Sequence, residues 1–224
     1  MPWLDPPDPF ARAPRPAAWS AGPTLVASEL SVVDGWCEID GVFVAGGEID
    51  AREAEVLVIT ASRLEGATVL VGDDTRVRVL RSELEQCDLG PAAIESLLAS
   101  RLVSCNLRGA VFADTVRDVL LVNCQLSHAY FGAATLDRVA MGGCVLRETD
   151  FYRSTLTDLA IDHCEMEAVN FDATTCERVD LRATNLDLMG VRDLTGCLVT
   201  SDQVQALALQ LADAVGLSIE APDC

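Results

Sequence analysis

The sequence has no lysine, few aromatic residues and only two histidines. All 16 basic residues are arginine, and aromatic residues make up 5% of the chain. A core must therefore be filled by aliphatic side chains, for which a hydrophobic content of 50% is sufficient. No apolar run long enough to span a membrane is present, so no transmembrane helix is predicted. A basic start followed by an apolar segment is also missing, and we expect no secretory signal peptide.

The charge balance is strongly acidic, with a formal net charge of -19 and a pI of about 4.2. Such a chain should avoid nucleic acid and anionic membranes and should suit a basic protein surface, although solubility alone is the alternative explanation. Nine cysteines without a secretory signal indicate reduced thiols and a cytoplasmic protein.

A long-period repeat runs through the middle of the chain. From Arg117 the sequence divides into the equal blocks "RDVLLVNCQLSHAYFGAATL", "DRVAMGGCVLRETDFYRSTL" and "TDLAIDHCEMEAVNFDATTC". In each block a bulky apolar residue returns every five positions, with a small residue two positions before it. A period of five fits neither an α-helix nor a single strand. It predicts a square coil of four five-residue sides, in which successive turns pair as parallel strands about 4.8 Å apart.

The segments "CNLRGAVF", "CVLRETDF", "AVNFDATT" and "VDLRATNL" resemble the A(D/N)LXX units of the pentapeptide-repeat family. The resemblance implies an all-β fold, a right-handed quadrilateral parallel β-helix whose central Leu or Phe fills the core. We predict coils over residues 25–197, degenerate before about residue 55, after a proline-rich N-terminal arm at 1–24. A loop is expected at "VGDDTR", a small insertion at "GPAAIESLLAS", and one dropped residue near "FADTVRD".

The block length also accounts for two columns of side chains, which we interpret as core rather than as ligands. A zinc site needs ligands that converge on a tetrahedron, whereas side chains stacked on neighbouring turns run parallel. Disulfides between neighbouring turns are disfavoured for the same reason. No metal or cofactor is therefore expected. The two columns of this core ladder are Cys124, Cys144 and Cys164, and Phe112, Phe131, Phe151 and Phe171.

Nothing in the sequence favours an enzyme. There is no glycine-rich phosphate loop, no HExxH and no GxSxG. His163 stands next to Cys164, which suggests a nucleophile pair. However, the repeat directs Cys164 inward and leaves His163 in the turn before it, so a surface histidine is the preferred interpretation.

The C-terminal segment, 198–224, predicts a helix that caps the coil. Thr200 and Gln203 form a capping-box pattern, and Gly216 is placed to end the helix. The segment resembles the terminus with which fluoroquinolone-resistance pentapeptide proteins close their coil and dimerise, which implies a homodimer; a monomeric cap is the alternative. The apolar face of the predicted helix consists of Val204, Leu207, Leu211 and Val215.

Many outward positions are acidic, and a rod of carboxylates can imitate duplex DNA. The resemblance to family members that protect DNA gyrase in this way implies a gyrase or another type II topoisomerase as the protein partner. The alternative is a scaffold for another protein, with Trp3, Trp19 and Trp36 as candidate contacts. Arg138, Arg147, Arg153 and Arg178 are candidates for ordinary surface ion pairs. The predicted acidic partner-binding surface consists of Asp162, Glu165, Glu167, Asp172, Glu83, Glu85 and Asp88.

Overall fold

The computed structural model describes residues 22–25 and 35–217, and in them the chain winds into a parallel β-solenoid of about eight turns. The predicted β-helix is thereby confirmed. Most of the predicted arm, with Trp3 and Trp19, lies outside the described residues, as does the end of the chain from residue 218 onward. None of the described helices is long and apolar enough to cross a membrane.

The described strands are short, and most hold one side of the coil. In chain order they are β1 (Thr24–Leu25), β2 (Trp36–Asp40), β3 (Phe43–Ala45), β4 (Glu48–Ala51), β5 (Val56–Thr60), β6 (Arg63–Glu65), β7 (Thr68–Val71), β8 (Arg76–Leu80), β9 (Glu83–Glu85), β10 (Ala93–Leu98), β11 (Arg101–Val103), β12 (Val111–Val122), β13 (Thr135–Gly142), β14 (Val145–Arg147), β15 (Thr155–Asp162), β16 (Glu165–Glu167), β17 (Val169–Asn170), β18 (Thr175–Glu177), β19 (Val179–Ala183), β20 (Leu188–Met189) and β21 (Cys197–Leu198).

Four faces result from the stacking of these strands. The first face stacks β2, β5, β8 and β10, and the second stacks β1, β3, β6, β9 and β11. The long strands β12, β13 and β15 bend around the corner between these two faces, so that each contributes to both. The third face carries the pairs β4–β7 and β14–β16, and the fourth carries β17–β20. The pairings between these strands are parallel, as stacked turns of one coil require.

The core consists of the inward residues of all four faces. The bulky central residues and the small residues two positions before them are both buried, as Leu146 and Cys144 illustrate at 0% and 1% exposure. Phe112, Phe131, Phe151 and Phe171 stack as one column on the fourth face. Successive ring centroids in it are 4.1, 4.9 and 5.1 Å apart. The side-chain column repeats the spacing of the strands themselves.

Two irregularities separate the N-terminal turns from the middle ones. The loop expected at "VGDDTR" is a turn closed by Thr75, whose hydroxyl accepts the Gly72 N–H at 3.0 Å. The insertion expected at "GPAAIESLLAS" was wrong: the coil is shortened there. Leu97 pairs with Val79, at a spacing of 18 instead of 20, because the register shifts between Ile94 and Ser96. The dropped residue near "FADTVRD" is confirmed, since Val116 pairs with Leu97 at a spacing of 19.

The C-terminal end is closed by two short helices, α1 (Ser201–Ala206) and α2 (Ala208–Ala214), after a 3-10 helix at Val191–Asp193. The predicted capping box is confirmed, because Thr200 and Gln203 exchange both hydrogen bonds. The Gln203 side chain also donates to the carbonyls of Leu181 and Thr184, at 2.7 and 2.6 Å. One residue therefore caps the helix and occupies backbone acceptors that the last turn would otherwise leave open.

Candidate protein-binding surface

The acidic residues selected from the sequence are distributed over three faces. Glu83, Glu85 and Asp162 lie on the second face, and Asp88, Glu165 and Glu167 lie on the third. Asp172 follows Phe171 on the fourth. The structure therefore does not bring this set together into one patch.

An arginine from a neighbouring turn lies beside each of two pairs of these acidic residues, Glu83 with Glu85 and Glu165 with Glu167. Arg63 lies 3.2 Å from the Glu85 carboxylate and 4.0 Å from that of Glu83. Arg147 contacts both Glu165 and Glu167 in the same way, with the Glu167 oxygen 3.4 Å from its Nε. The Arg147 side chain is about half exposed, so its pairs add little stability. Both arginines nevertheless reduce the negative potential of their sites.

The corner between the first and second faces holds an alternating column of acid and base. Asp118, Arg138, Asp158 and Arg178 follow one another at a spacing of 20, and each has a left-handed backbone, with φ between 53 and 56°. Arg138 binds Asp118 through two bonds of 2.7 and 2.8 Å, and Arg178 binds Asp158 through bonds of 2.6 and 3.0 Å. The hydrogen bond to Asp118 raises the pKa of Arg138 further.

The ion pairs suggested for three of the four arginines are thus confirmed. Arg138 and Arg178 pair across the corner, and Arg147 pairs on the third face. Arg153 instead lies over the Tyr152 ring, with the guanidinium carbon 5.0 Å from the ring centroid. That contact is a cation–π interaction rather than an ion pair.

The other predicted acidic residues have local partners or none. The Asp162 carboxylate is 2.7 Å from the Nδ1 of His163, which is 80% exposed. Asp88 accepts a hydrogen bond of 2.9 Å from the Asn106 amide. Asp172 forms no ion pair within the described part of the chain.

A denser acidic region lies at the N-terminal end of the described coil. Residues 35–75 contain nine acidic residues and two arginines, a net charge of -7 over about two turns. All nine acidic residues are exposed, and Glu65 borders Arg63. We call this region the acidic end; its members are Glu38, Asp40, Glu48, Asp50, Glu53, Glu55, Glu65, Asp73 and Asp74.

The partner-binding residues predicted from the sequence lie elsewhere on the coil. The signal that could have located the region is the scarcity of arginine between residues 35 and 75, since only Arg52 and Arg63 occur there. Arg52 donates two side-chain hydrogen bonds to Asp50, which lower the pKa of that carboxyl to about 2. At the border of the region, the hydrogen bond from Arg78 lowers the pKa of Glu95.

The cysteine column is longer than the sequence spacing indicated. Five buried thiols, not three, stack on the third face, because Cys87 and Cys105 precede Cys124 at spacings of 18 and 19. Each thiol lies over main-chain carbonyls; that of Cys124 is 3.5 Å from the Val122 oxygen. Thiol–thiol hydrogen bonding and burial raise the pKa of Cys105 and Cys144. Within the described residues no group of three or more His, Cys, Asp and Glu residues could hold a metal ion.

The predicted apolar face of the terminal helix is only partly buried. Leu207 is 4% exposed, and Leu211 packs beside it over a groove that Cys197 and Val199 also line. Val204 and Val215 remain 44% and 71% exposed. Large apolar side chains on the surface of this end are Met189, Val204, Leu209, Val215 and Leu217.

Comparison with known families agrees with this geometry. Residues 124–158 match the family model described as "Pentapeptide repeats (8 copies)". This segment carries pentapeptide repeats. The matched segment covers parts of the middle turns, where the phenylalanine and cysteine columns are most regular. No curated protein sequence matches at a significant level.

Solved structures show a distant likeness. Full-length QnrB1, described as a plasmid-mediated fluoroquinolone resistance protein, is 14% identical, with 87% of this chain and 99% of that one covered and a TM-score of 0.34. HetL from Nostoc sp. strain PCC 7120, described as involved in heterocyst differentiation regulation, is also 14% identical. That match covers 81% and 91% of the two chains, with a TM-score of 0.38. Similarity at this level supports no inference about partner or function.

Proposed function

We propose that this pentapeptide-repeat protein is a non-enzymatic binding module whose acidic end occupies the DNA-binding surface of a protein partner, a type II topoisomerase such as DNA gyrase. It thereby modulates the enzyme or protects it from a topoisomerase poison. The observation that carries the proposal is the net charge of -7 over residues 35–75. Duplex DNA presents one charge per ~1.7 Å, so a mimic needs about three net charges per turn of ~4.8 Å. The acidic end meets this density.

The mimicry is restricted to part of the coil. Residues 99–158 contain six acidic residues and six arginines, and several of these are joined in the ion pairs of the first and second faces. A continuous negative stripe along the whole rod is therefore not what we propose. Asp162, Glu165, Glu167 and Asp172 remain a second predicted contact, weakened where Arg147 accompanies it.

The proposal includes a second copy of the chain, joined through the C-terminal helices. Five large apolar side chains are exposed at this end. The last turn of a solenoid has no further turn to pack against, which favours association with a second copy. A two-fold arrangement would place one acidic end at each tip of a longer rod. Sedimentation of the wild type and of Leu209→Glu tests this part, and a wild-type monomer at micromolar concentration would contradict it.

The deciding experiment is DNA supercoiling by gyrase with purified protein, with and without a fluoroquinolone, at several salt concentrations. One variant neutralises the acidic end (Glu38→Gln, Asp40→Asn, Glu53→Gln, Glu55→Gln). A second variant, with the same change in charge, neutralises the second predicted contact (Asp162→Asn, Glu165→Gln, Glu167→Gln, Asp172→Asn). We expect salt-sensitive inhibition or rescue by the wild type, weakened about tenfold in the first variant and less in the second. No effect of the wild type on gyrase would overturn the proposal.

A scaffold for a different protein is the second candidate. The observation in its favour is the mixed charge of residues 99–158, together with Trp36, which is 49% exposed. If both charge variants bind a partner as tightly as the wild type while Trp36→Ala loses binding, this second candidate is preferred.

A further inference from the structure

The last turns of the coil hold a pair of cysteines that do not belong to the cysteine column. Among the eight cysteines of the described residues, six are buried, and only Cys176 and Cys197 are partly exposed. Leu156, which precedes Cys176 by one turn on the first face, is 0% exposed, and so is Cys124 in the middle turns. The pair is therefore open to solvent because the irregular turns that follow Cys176 cover it incompletely.

The two side chains come from adjacent faces of the coil. Cys176 lies in β18, which pairs with the first-face part of β15 at Leu156. Cys197 lies in β21, which pairs with β19 at Val179, and β19 pairs with the second-face part of β15. Both cysteines pack against the core. Side chains that point inward from adjacent sides of a square converge at the corner, whereas those at equivalent positions of stacked turns run parallel. The geometry that disfavours a disulfide within the cysteine column is therefore absent from this pair.

A close approach of the main chain brings the two cysteines together. Gly196 has a φ of 90°, and a Cβ atom added there would lie 2.3 Å from the carbonyl oxygen of Cys176. Only glycine fits such an approach, and it places the next residue, Cys197, against Cys176. The two thiols share a hydrogen bond. Thiols in hydrogen-bond contact need only small side-chain rotations to reach the S–S separation of a disulfide, which is about 2.05 Å.

We propose that Cys176 and Cys197 form a peroxide-reactive dithiol, whose oxidation closes the C-terminal end of the coil with a disulfide. In the first step the Cys176 thiolate attacks one oxygen of a peroxide, ROOH. An S–O bond forms, the O–O bond breaks, and RO⁻ leaves and takes up a proton, so that the sulfur is oxidised to a sulfenic acid and the peroxide is reduced. In the second step the Cys197 sulfur attacks the sulfenic sulfur. An S–S bond forms, and the hydroxyl leaves with the Cys197 proton as water.

The surroundings of the pair give its two members different roles. The hydrogen bond from Cys197 lowers the pKa of Cys176 to about 7, with a further contribution from Thr174, while burial and the nearby Asp193 carboxylate act in the opposite direction. The same thiol–thiol hydrogen bond, together with burial, raises the pKa of Cys197. At neutral pH a large fraction of Cys176 is therefore the thiolate, which is the nucleophilic form, and Cys197 keeps its proton until the sulfenic acid forms beside it.

The disulfide acts where the helical cap joins the coil. Cys197 shortly precedes Thr200, the N-cap of α1, and it lines the groove over which Leu207 and Leu211 pack. In the reduced protein the cap is held by these apolar contacts and by the hydrogen bonds of Gln203 to the last turn. A covalent link from β18 to β21 closes a loop of about 20 residues and restricts the opening of this end. The link involves no residue of the acidic end and does not depend on which partner the acidic end binds.

The test uses the full chain with Cys224→Ser, which removes the cysteine that lies outside the described residues. The folded protein is treated with hydrogen peroxide in small molar excess at neutral pH, and its mass is then measured. We expect the loss of two hydrogen atoms and a disulfide that joins the tryptic fragments 154–178 and 193–224. Fragment sequencing should assign it to Cys176 and Cys197. The cysteine column is the internal control, because Cys144 and Cys164 should still react with iodoacetamide once the treated protein is unfolded.

Single substitutions separate the roles of the two thiols. With dimedone present, Cys197→Ser should trap a sulfenic acid at Cys176 about tenfold faster than Cys176→Ser traps one at Cys197. In the oxidised parent protein, hydrogen exchange of residues 179–199 should slow by about tenfold, and dithiothreitol should restore the original rate. An unchanged mass after peroxide treatment would overturn the proposal, as would equal trapping in the two variants. A disulfide within the cysteine column or between two copies of the chain would also contradict it.

Discussion

Residues 35–75 and residues 99–158 are wound on the same coil but present different surfaces. Both bury a central apolar residue and a smaller one on most sides, and both stack in parallel register. The first region has nine acidic residues and two arginines, and the second has six of each. The difference shows that the outward positions of a β-helix can change their charge while the inward positions preserve the fold.

The two regions also differ in how neighbouring turns contact one another outside the core. In residues 99–158 acid and base alternate along the coil axis, so that an arginine on one turn meets a carboxylate on the next, as Arg138 meets Asp118. In the acidic end most acids face an uncharged residue on the next turn, as Glu38 faces Val58 and Glu48 faces Thr68. Its surface is therefore held together chiefly by the core and is available to a basic partner.

The largest effect should come from the phenylalanine column, which the acidic end does not share. Phe151→Ala removes a ring stacked between Phe131 and Phe171 and should lower the free energy of unfolding by about 3–5 kcal/mol. The neighbouring Tyr152 gives the control, since it is not part of the column and Tyr152→Ala should cost less than about 1 kcal/mol. Denaturant titration measures both values.

The same variant shows whether the two regions unfold as one unit. Stability in a solenoid is transmitted between nearest neighbours, so hydrogen exchange in Phe151→Ala should accelerate first around residues 131–171. An equal loss of protection in residues 35–75 would show that the acidic end has no independent stability, and the contrast would then concern the surface only.

Removing an ion pair of the alternating corner column should have the next largest effect on stability. The Asp158 side chain is 2% exposed and binds Arg178, so Asp158→Asn leaves a partly buried guanidinium without its buried carboxylate partner. We expect a loss of about 1–3 kcal/mol in unfolding free energy. Asp172→Asn, on a position without an ion pair in the described residues, should change stability by less than about 0.5 kcal/mol. Similar losses of unfolding free energy in the two variants would mean that the ion pairs of the corner column do not stabilise the fold.

The buried, inward-facing positions could be predicted from the sequence, whereas the contacts between outward-facing side chains largely could not. The period of five identified the buried positions because each inward residue contacts its equivalents in adjacent turns, which restricts it to one size class. Phe131, Phe151 and Phe171 show the spacing directly. Cys105 was not recognised as part of the cysteine column because the coil is shortened before it, and a search at a fixed spacing of 20 cannot detect a shift in register.

The residues of the candidate surface were harder to predict for two reasons. Side chains that contact each other on adjacent turns are distant in the sequence. The face on which a residue lies also depends on where the chain turns each corner of the coil. Glu165 and Glu167 had the right composition for an acidic patch, but Arg147 lies beside them on the next turn. The run Val119–Val122 was not singled out in the sequence, although four successive apolar residues cannot all point inward on a strand. Leu120 and Val122 accordingly lie outside the main core.

A smaller effect should follow from repulsion within the acidic end. Neutralising two exposed carboxylates, Glu53→Gln with Asp74→Asn, should raise the free energy of unfolding by about 0.3–0.5 kcal/mol at low salt, because repulsion between like charges is relieved. In ~1 M salt the gain should vanish, since the Debye length falls to about 3 Å. Glu148→Gln serves as the control; its carboxylate is 3.4 Å from His128, so no gain is expected. Urea titrations at two salt concentrations measure these differences.

The smallest effect concerns Asp50, an acidic-end carboxylate that receives two arginine side-chain bonds. Hydrogen bonds from Arg52 lower its pKa from 3.8 to about 2. Because the folded pKa lies below the unfolded one, the pair contributes stability above pH 3.8 and loses it as the pH falls through about 2. The side chains are exposed, so the change in stability is small, and the carboxyl carbon chemical shift in an NMR titration is the sensitive measurement.

In Arg52→Gln the midpoint of the Asp50 titration should rise toward 3.8, because the guanidinium donors are removed while the main-chain N–H of residue 52 still donates to the carboxylate. A midpoint that is the same in both proteins would show that solvent competes successfully for the pair. Even this carboxylate would then be available to bind a partner.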